Sequence, residues 1–180
     1  MTGNDKRPPI EAGLFRRVMG SFATGVTVIT AEGDGGVRGM TANAFMSGSL
    51  TPPLCIISIS KKARMHEILD KAGHFGVSML AKGQEDVSQH FARQGATEPD
   101  LSFEHIGGIP VLAAVAAAIA AEIEARHECG DHTLFIGHIV GLRDHGRPPL
   151  AYHGGKYAEL LYKSAAPADP MVDFWELEHN

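Results

Sequence analysis

The 180-residue sequence predicts a mainly antiparallel β-barrel with peripheral helices. Short, β-branched or alternating segments recur along the chain between glycine and proline turns, as strands of a β-protein do. Only a few segments space their apolar residues at helical intervals. A long alanine-rich segment alternates with a period of two, which is typical of a half-buried antiparallel strand. Short strands with a few helices between them favour a barrel over the other fold classes.

The composition is that of one ordinary globular domain. Hydrophobic residues make up 44% and charged residues 21% of the chain, near the average for globular proteins. The net charge of -5 gives no reason to expect nucleic acid or an anionic membrane as partner. No apolar run approaches the ~20 residues of a membrane span, and the N-terminus lacks a signal-peptide pattern. Because only Cys55 and Cys129 occur, we expect a reducing cytoplasm.

The first third of the chain predicts a helix followed by three strands. Residues 1–9 are polar and end in two prolines, which indicates a flexible tail. "IEAGLFRRVMG" has helical spacing and is followed by glycines. "VTVITAE" then predicts a strand, "GDGG" a hairpin turn into "VRGMTANAF", and "LCIISIS" a further strand.

The next segments predict two helices around one strand. "KKARMHEILDKAG" places Met65, Ile68 and Leu69 on one helical face, with Gly73 as its expected end. "HFGVSMLA" predicts a strand, and "QEDVSQHFARQ" a short helix with Val87 and Phe91 facing inward. We expect a loop from residue 95 to residue 110.

The alanine-rich segment is the least certain element because two principles disagree about it. Alanine is the best helix former, so propensity predicts a helix over residues 111–126. From Ile119 onward, however, apolar and charged residues alternate. This period favours a strand that returns through "ECGDH" into "TLFIGHIVGLRDH", that is, a long hairpin.

The stretch "GMTANAFMSGSLTPPL" is too long and too apolar for an ordinary solvated connection. We interpret its small polar side chains as one wall of a site for a planar ligand. The nearby "SISKKARMH" brings serines, lysines and an arginine to the start of a helix, which suits a phosphate. A solvated helix start is the alternative for this second segment. Together the two segments favour a flat, phosphorylated, heterocyclic ligand.

Other kinds of site find little support in the sequence. "HECGDH" places His127, Cys129 and His132 within one turn, but their side chains would point in different directions, so no metal site is expected. Cys55 lies in an apolar strand, as core cysteines do. The dinucleotide fingerprint GxGxxG is absent.

Several motifs in order resemble the flavin reductase-like, split-barrel flavin-binding family. They are "FRRVMGSFATGVTVIT", "GMTANAF" with "SGSLTPPL", "KKARMHEIL", "GHFGVSML" with "VSQHFA", "GDHTLFIGHIV" and "PPLAYHGGKY", and they span about residues 14–160. Within this family the chain is most similar to reductase components of two-component monooxygenases of the styrene, phenol and 4-hydroxyphenylacetate type. Gly48 and Lys62 depart from the residues that many relatives have.

The resemblance implies a Greek-key split β-barrel, which we assign to residues 10–163. Residues 164–180 have no counterpart in the family pattern, and we interpret them as a C-terminal extension. It also implies a homodimer, FMN or FAD as flavin, NADH or NADPH as cosubstrate, and a separate oxygenase that receives reduced flavin. Hydride transfer between the two nucleotides depends on positioning, so no catalytic dyad is required.

The resemblance also assigns site residues by motif. Thr41, Ala42 and Asn43 would line the isoalloxazine ring, and Ser47 would lie near its polar edge. The ribityl phosphate would lie near Ser58, Ser60, Lys62, Ala63 and Arg64, and the phosphate or adenylate side would be closed by Ser88, Gln89 and Phe91. The segment associated with the nicotinamide nucleotide is His153, Gly154, Gly155, Lys156 and Tyr157.

Some roles stay open at this point. His132 is the catalytic candidate, as a cation or donor near the nicotinamide or flavin edge, although it could merely fix the hairpin turn. Tyr157 could cover the flavin or only pack. For His66 and His74 we prefer the interpretation as a surface residue of a helix and the start of a strand, without a role in the site. The alternatives to a flavin reductase are another split-barrel flavin oxidoreductase, as in pyridoxamine-phosphate-oxidase-like or haem-degrading relatives, and a non-catalytic flavin-binding or redox-sensing module.

Overall fold

The computed structural model describes residues 8–92 and 99–161. Its helices are α1 (Ala12–Gly20), α2 (Arg64–Lys71) and α3 (Glu85–Ala92). Its strands are β1 (Thr24–Gly25), β2 (Thr27–Gly33), β3 (Gly36–Ala42), β4 (Phe45–Ser49), β5 (Leu54–Ser60), β6 (His74–Met79), β7 (Phe103–Ile106), β8 (Ile109–Leu112), β9 (Ala117–Cys129), β10 (His132–Asp144), β11 (Ala151–His153) and β12 (Lys156–Ala158). The predicted extension 164–180 and most of the predicted N-terminal tail lie outside the described residues.

Seven antiparallel strands form the main sheet in the order β3-β2-β6-β9-β10-β5-β4. Its two edge strands, β3 and β4, are consecutive in the chain and are separated only by Asn43 and Ala44. The sheet must therefore curl until its edges meet. The Ser58 N–H donates to the Ala44 carbonyl at 3.1 Å, which extends the β4–β5 pairing into this connection. The predicted antiparallel barrel is confirmed.

The barrel is filled from alternating positions of its strands. Cys55, Ile57 and Ile59 point inward from β5 and are fully buried, as are Phe75 of β6 and Phe135 of β10. Burial of each large apolar side chain contributes roughly 1.5–3 kcal/mol. The even-numbered residues of β5 consequently face the other side of the sheet, and this alternation positions the polar side chains described below.

The alanine-rich segment forms the β9–β10 hairpin, so the period predicted it correctly and helix propensity did not. The reason is close packing. A Cβ atom at Gly137 would overlap the ring of Phe75 and the side chain of Ala121. Ala118, Ala120 and Ala121 are buried in this crowded region. Small residues are therefore needed between neighbouring layers, and tertiary contacts override the intrinsic preference of alanine.

Three strands, β4, β7 and β8, occur where the sequence predicted none. The predicted loop 95–110 contains β7 and the start of β8, which form a hairpin around Gly107 and Gly108 at φ 60 and 86. The expectation of a loop is therefore wrong for residues 103–106 and 109–110, whereas Gly107 and Gly108 form a turn between the two strands. The stretch from Gly39 to Leu54 likewise contains β4, whose serines and glycine have low strand propensity.

The helices match their predictions, but α1 differs from the others in its packing. Met65 and Leu69 of α2 are buried, and Val87 and Phe91 of α3 pack against a second apolar cluster. No residue of α1 is buried, although its sequence is amphipathic.

Candidate functional site

The predicted flavin wall lines a small cavity beside the barrel. Thr41, Ala42 and Asn43, where β3 leaves the sheet, border a cavity of about 220 Å³. Ser88 of α3 and Tyr157 of β12 border the same cavity. The structure therefore brings together residues of three predicted segments. The outermost two, Thr41 and Tyr157, are 116 positions apart in the chain.

Ser88 joins these three segments through hydrogen bonds. The Tyr157 hydroxyl lies 2.9 Å from Ser88 Oγ, and the Thr41 hydroxyl donates to the Ser88 carbonyl at 2.6 Å. Ser88 is only 2% exposed. Through these two bonds Ser88 links α3 to β3 and to β12. Motif matching alone did not indicate this role.

A second group of predicted residues lies along β5 and its neighbours. Because Cys55, Ile57 and Ile59 face the core, Ser58 and Ser60 are partly accessible on the opposite face. Burial raises the pKa of the Cys55 thiol to about 11, so this cysteine is a neutral core residue at physiological pH.

His132 lies directly beside this group. It pairs with Ser60 in the β5–β10 register, and the Lys61 N–H donates to the Asp131 carbonyl at 3.0 Å. The turn that carries His132 is therefore fixed against the segment from Ser60 to Lys62.

Asp131 orients His132, and the sequence analysis had not singled it out. Asp131 Oδ1 lies 2.7 Å from His132 Nδ1. This hydrogen bond, followed by the charge of His132, lowers the pKa of Asp131 below its ordinary value. An ionised carboxylate can only accept, so His132 Nδ1 carries a proton and Nε2 is the nitrogen left for another partner. Asp131 directly precedes the candidate histidine in the sequence, and this adjacency could have identified it.

Arg64 and Phe91 lie apart from both groups. Together with Arg38 they line a larger cavity, of about 490 Å³, between β3, α2 and α3. Gln89 is exposed on α3, whereas Lys62 and Ser47 are exposed near β5. The predicted phosphate residues are thus distributed over two neighbouring places, and Arg64 is the one that reaches the larger cavity.

The predicted nicotinamide segment is the tip of the β11–β12 hairpin. Gly154 and Gly155 adopt φ values of 58 and 83, which form the tight turn. The Gly154 N–H donates to the carbonyl of Gly20 at 2.8 Å, so the tip is held against the end of α1. His153 and Lys156 are exposed on either side of the turn.

The remaining histidine-rich features form no metal site in the described part of the chain. Within residues 8–92 and 99–161, no three His, Cys, Asp or Glu side chains are arranged to hold a metal ion. None of the helices in these ranges has the length and apolar character needed to cross a bilayer.

Comparisons with known proteins identify the family of the chain. The model of the flavin reductase like domain matches residues 19–161. The chain is 39% identical over 163 residues to an NADH-dependent flavin reductase of Rhodococcus sp, covering 88% of this chain and 92% of the relative. It is 39% identical over 152 residues to the reductase component of 4-hydroxyphenylacetate 3-monooxygenase of Thermus thermophilus, covering 83% and 97%. The solved structure of the flavin reductase PheA2 superposes with a TM-score of 0.82 at 43% identity, covering 85% of this chain and all of that one.

Proposed function

This chain belongs to the family defined by the flavin reductase like domain, with its split-barrel fold, and on that premise we propose that it is an NADH-dependent flavin reductase. It reduces FMN or FAD by hydride transfer and supplies the reduced flavin to a separate monooxygenase. Relatives bear the names of NADH-dependent flavin reductases and of monooxygenase reductase components. We also propose that it acts, as an NAD(P)H:flavin oxidoreductase, on flavin that is free in solution.

One observation carries this proposal beyond the family resemblance. The predicted flavin wall, Thr41–Asn43, and Tyr157 of the predicted nicotinamide segment border one cavity. Two reactants that exchange a hydride must lie in contact, and a shared cavity provides for that. Asn43 is exposed at its rim, so its amide is accessible to a ligand.

The donor set fits a flavin. Backbone amides and short hydroxyl or amide side chains at residues 41–47 match the carbonyl-bearing edge of the ring, which gains negative charge on reduction. Ser58, Ser60, Lys62 and the start of α2 offer donors and charge for a phosphate. When bound, the flavin supplies the hydride-accepting chemistry, and the protein supplies binding and orientation.

His132 presents Nε2 to a bound nucleotide in this proposal, and it donates from that atom in its doubly protonated, cationic form because Nδ1 faces Asp131. Asp131 holds its Nδ1 side, and the β5–β10 register places it beside Ser60. In this position the imidazole stabilises negative charge on a bound nucleotide without transferring a proton in the hydride step. Asp131 is accordingly a positioning residue that acts through His132.

The proposal includes a homodimer, with α1 as part of its interface. Phe15, Val18 and Met19 are each more than half exposed, at 55%, 60% and 56%. An apolar surface of this kind on a helix without any buried residue is typical of a protein interface. Replacing Val18 by Asp should convert the dimer to a folded monomer in analytical ultracentrifugation. A variant that stays dimeric would exclude α1 from the interface.

A cytoplasmic location completes the proposal. The two cysteines are unpaired, Cys55 within the core and Cys129 exposed. An exposed free thiol is typical of proteins in a reducing compartment. NADH is also available to a reductase there.

The proposed activity is tested by NADH consumption with FMN, with FAD and without added flavin. Turnover that requires added flavin is expected, and the same assay with NADPH determines the preferred nucleotide. Tight flavin binding without any NADH consumption would contradict the reductase and favour a non-catalytic flavin-binding module.

A further inference from the structure

Arg126 of β9 binds the carboxyl end of α2. One of its guanidinium nitrogens, Nη2, donates to the Leu69 carbonyl at 3.1 Å and to the Ala72 carbonyl at 2.9 Å. The last carbonyls of a helix have no partner within the helix and carry partial negative charge. A cationic donor that bridges two of them therefore satisfies both and stabilises this end of α2.

The same guanidinium lies against the ring of Phe135, which is fully buried. The distance from its Cζ atom to the ring centroid is 5.8 Å, within the range of a cation–π contact. His66, in the first turn of α2, stands against this ring as well, with 5.7 Å between centroids. The strands β9 and β10 therefore contact α2 at two places, one near each end of the helix.

The start of α2 lacks the usual local anchor. Ala63 is its N-cap residue and makes no side-chain hydrogen bond to the helix, whereas Ser, Thr, Asp or Asn commonly provides one. The helix has only eight residues, which corresponds to a length of about 12 Å. Because so short a helix moves as one body, contacts at its far end influence the direction of its first N–H groups.

Apolar packing alone does not determine that direction. Burial of Met65 and Leu69 holds α2 on the barrel, but the hydrophobic effect is not directional. The hydrogen bonds from Arg126 are directional, and they act on the end of the helix opposite the proposed phosphate site. We propose that Arg126 is a positioning residue, which aligns the first N–H groups of α2 and the adjacent Lys62 with the flavin phosphate. This inference rests on the proposed reductase function and adds to it a residue that no motif contains.

The test uses Arg126→Met, which removes the donors and the charge but keeps an unbranched stem beside the Phe135 ring. Lys71→Met is the matched control, because Lys71 is exposed and carries the same charge in the last turn of α2. The dissociation constants of FMN and of riboflavin, which lacks the phosphate, are measured by fluorescence titration. Arg126→Met should weaken FMN binding by about threefold to tenfold and leave riboflavin binding unchanged. Lys71→Met should leave both constants within about twofold of wild type, because exposed charges are screened by salt.

The comparison of the two flavins separates positioning from a general loss of structure. A partly unfolded fraction of a variant would weaken the binding of FMN and riboflavin alike, so equal losses for both would overturn the proposal. Unchanged FMN affinity in Arg126→Met, or the same loss in Lys71→Met, would overturn it as well. So would a wild-type protein that binds FMN no more tightly than riboflavin. A failure of the wild-type protein to oxidise NADH with any flavin would instead contradict the proposed function, and the two dissociation constants would still decide the role of Arg126.

Discussion

His66 Nε2 lies 2.8 Å from the hydroxyl of Thr133, and this contact joins α2 to β10 one residue away from His132. The other ring nitrogen, Nδ1, lies 3.3 Å from a carboxylate oxygen of Asp70. The imidazole also stands edge-on to the Phe135 ring, with 5.7 Å between centroids. The sequence predicted a surface residue on the helix, whereas the His66 side chain is only 13% exposed and packs between α2 and β10. These contacts tie the helix that follows the phosphate segment to the strand that carries the candidate catalytic residue.

Replacing His66 by Leu should lower the free energy of unfolding by about 1–3 kcal/mol, because the hydroxyl of Thr133, which is 2% exposed, loses its partner. Urea denaturation measures this change. In the double variant with Thr133→Val both polar groups are gone, so most of the loss should be recovered. A double variant as unstable as the sum of the single variants would contradict this role.

Replacing Tyr157 by Phe should cost about 0.5–1.5 kcal/mol of stability by removing the bond to the buried Ser88 hydroxyl. The ring stays, so flavin affinity should change little if Tyr157 acts through packing. Tyr152→Phe is a matched control, because the structure gives the Tyr152 hydroxyl no hydrogen bond within the described ranges and its ring contacts Tyr157. Equal changes in Tm for both variants would show that the Tyr157–Ser88 hydrogen bond does not stabilise the protein.

Asp131→Asn should alter how stability depends on pH. His132 lowers the folded-state pKa of Asp131, so the ionised carboxylate stabilises the folded protein above its unfolded pKa of about 3.9. This contribution is lost as the pH falls through the still lower folded pKa. The difference in Tm between wild type and variant should therefore be present at neutral pH and vanish in acid. It should be small, because Asp131 is exposed. A difference in Tm that increases as the pH falls would contradict this prediction.

Replacing Lys62 and Arg64 together by Ala should weaken the binding of FMN and FAD alike, by about tenfold or more, because both flavins carry the ribityl phosphate. Lys71→Ala combined with Lys82→Ala removes the same charge elsewhere and provides the control. Unchanged affinity for both flavins would show that the phosphate binds somewhere else.

The barrel could be predicted from the sequence because its strands have a clear period. "LCIISIS" corresponds residue for residue to β5, and alternation identified β9 despite its alanines. The strands β4 and β7 were missed because serine, glycine and charged residues give short strands little local signal.

The candidate site was predicted only in part, for a related reason. Motifs identified Thr41, Ser88 and Tyr157 separately, but only the fold shows that hydrogen bonds to the carbonyl and the hydroxyl of Ser88 join them. Arg126 belongs to no motif, and it becomes relevant only because β9 places it at the end of α2. Such contacts depend on register and packing between distant segments, which a single sequence does not contain.

The central claim is that this protein transfers hydride from NADH to a flavin that it then releases. The most direct test is anaerobic mixing of the protein with NADH and a large molar excess of free flavin, followed by the visible absorbance of the flavin. With NADH in molar excess over the flavin, the whole flavin pool should be bleached. Bleaching that stops at one equivalent of flavin per protein chain would contradict release, and the absence of any bleaching would contradict the reductase itself.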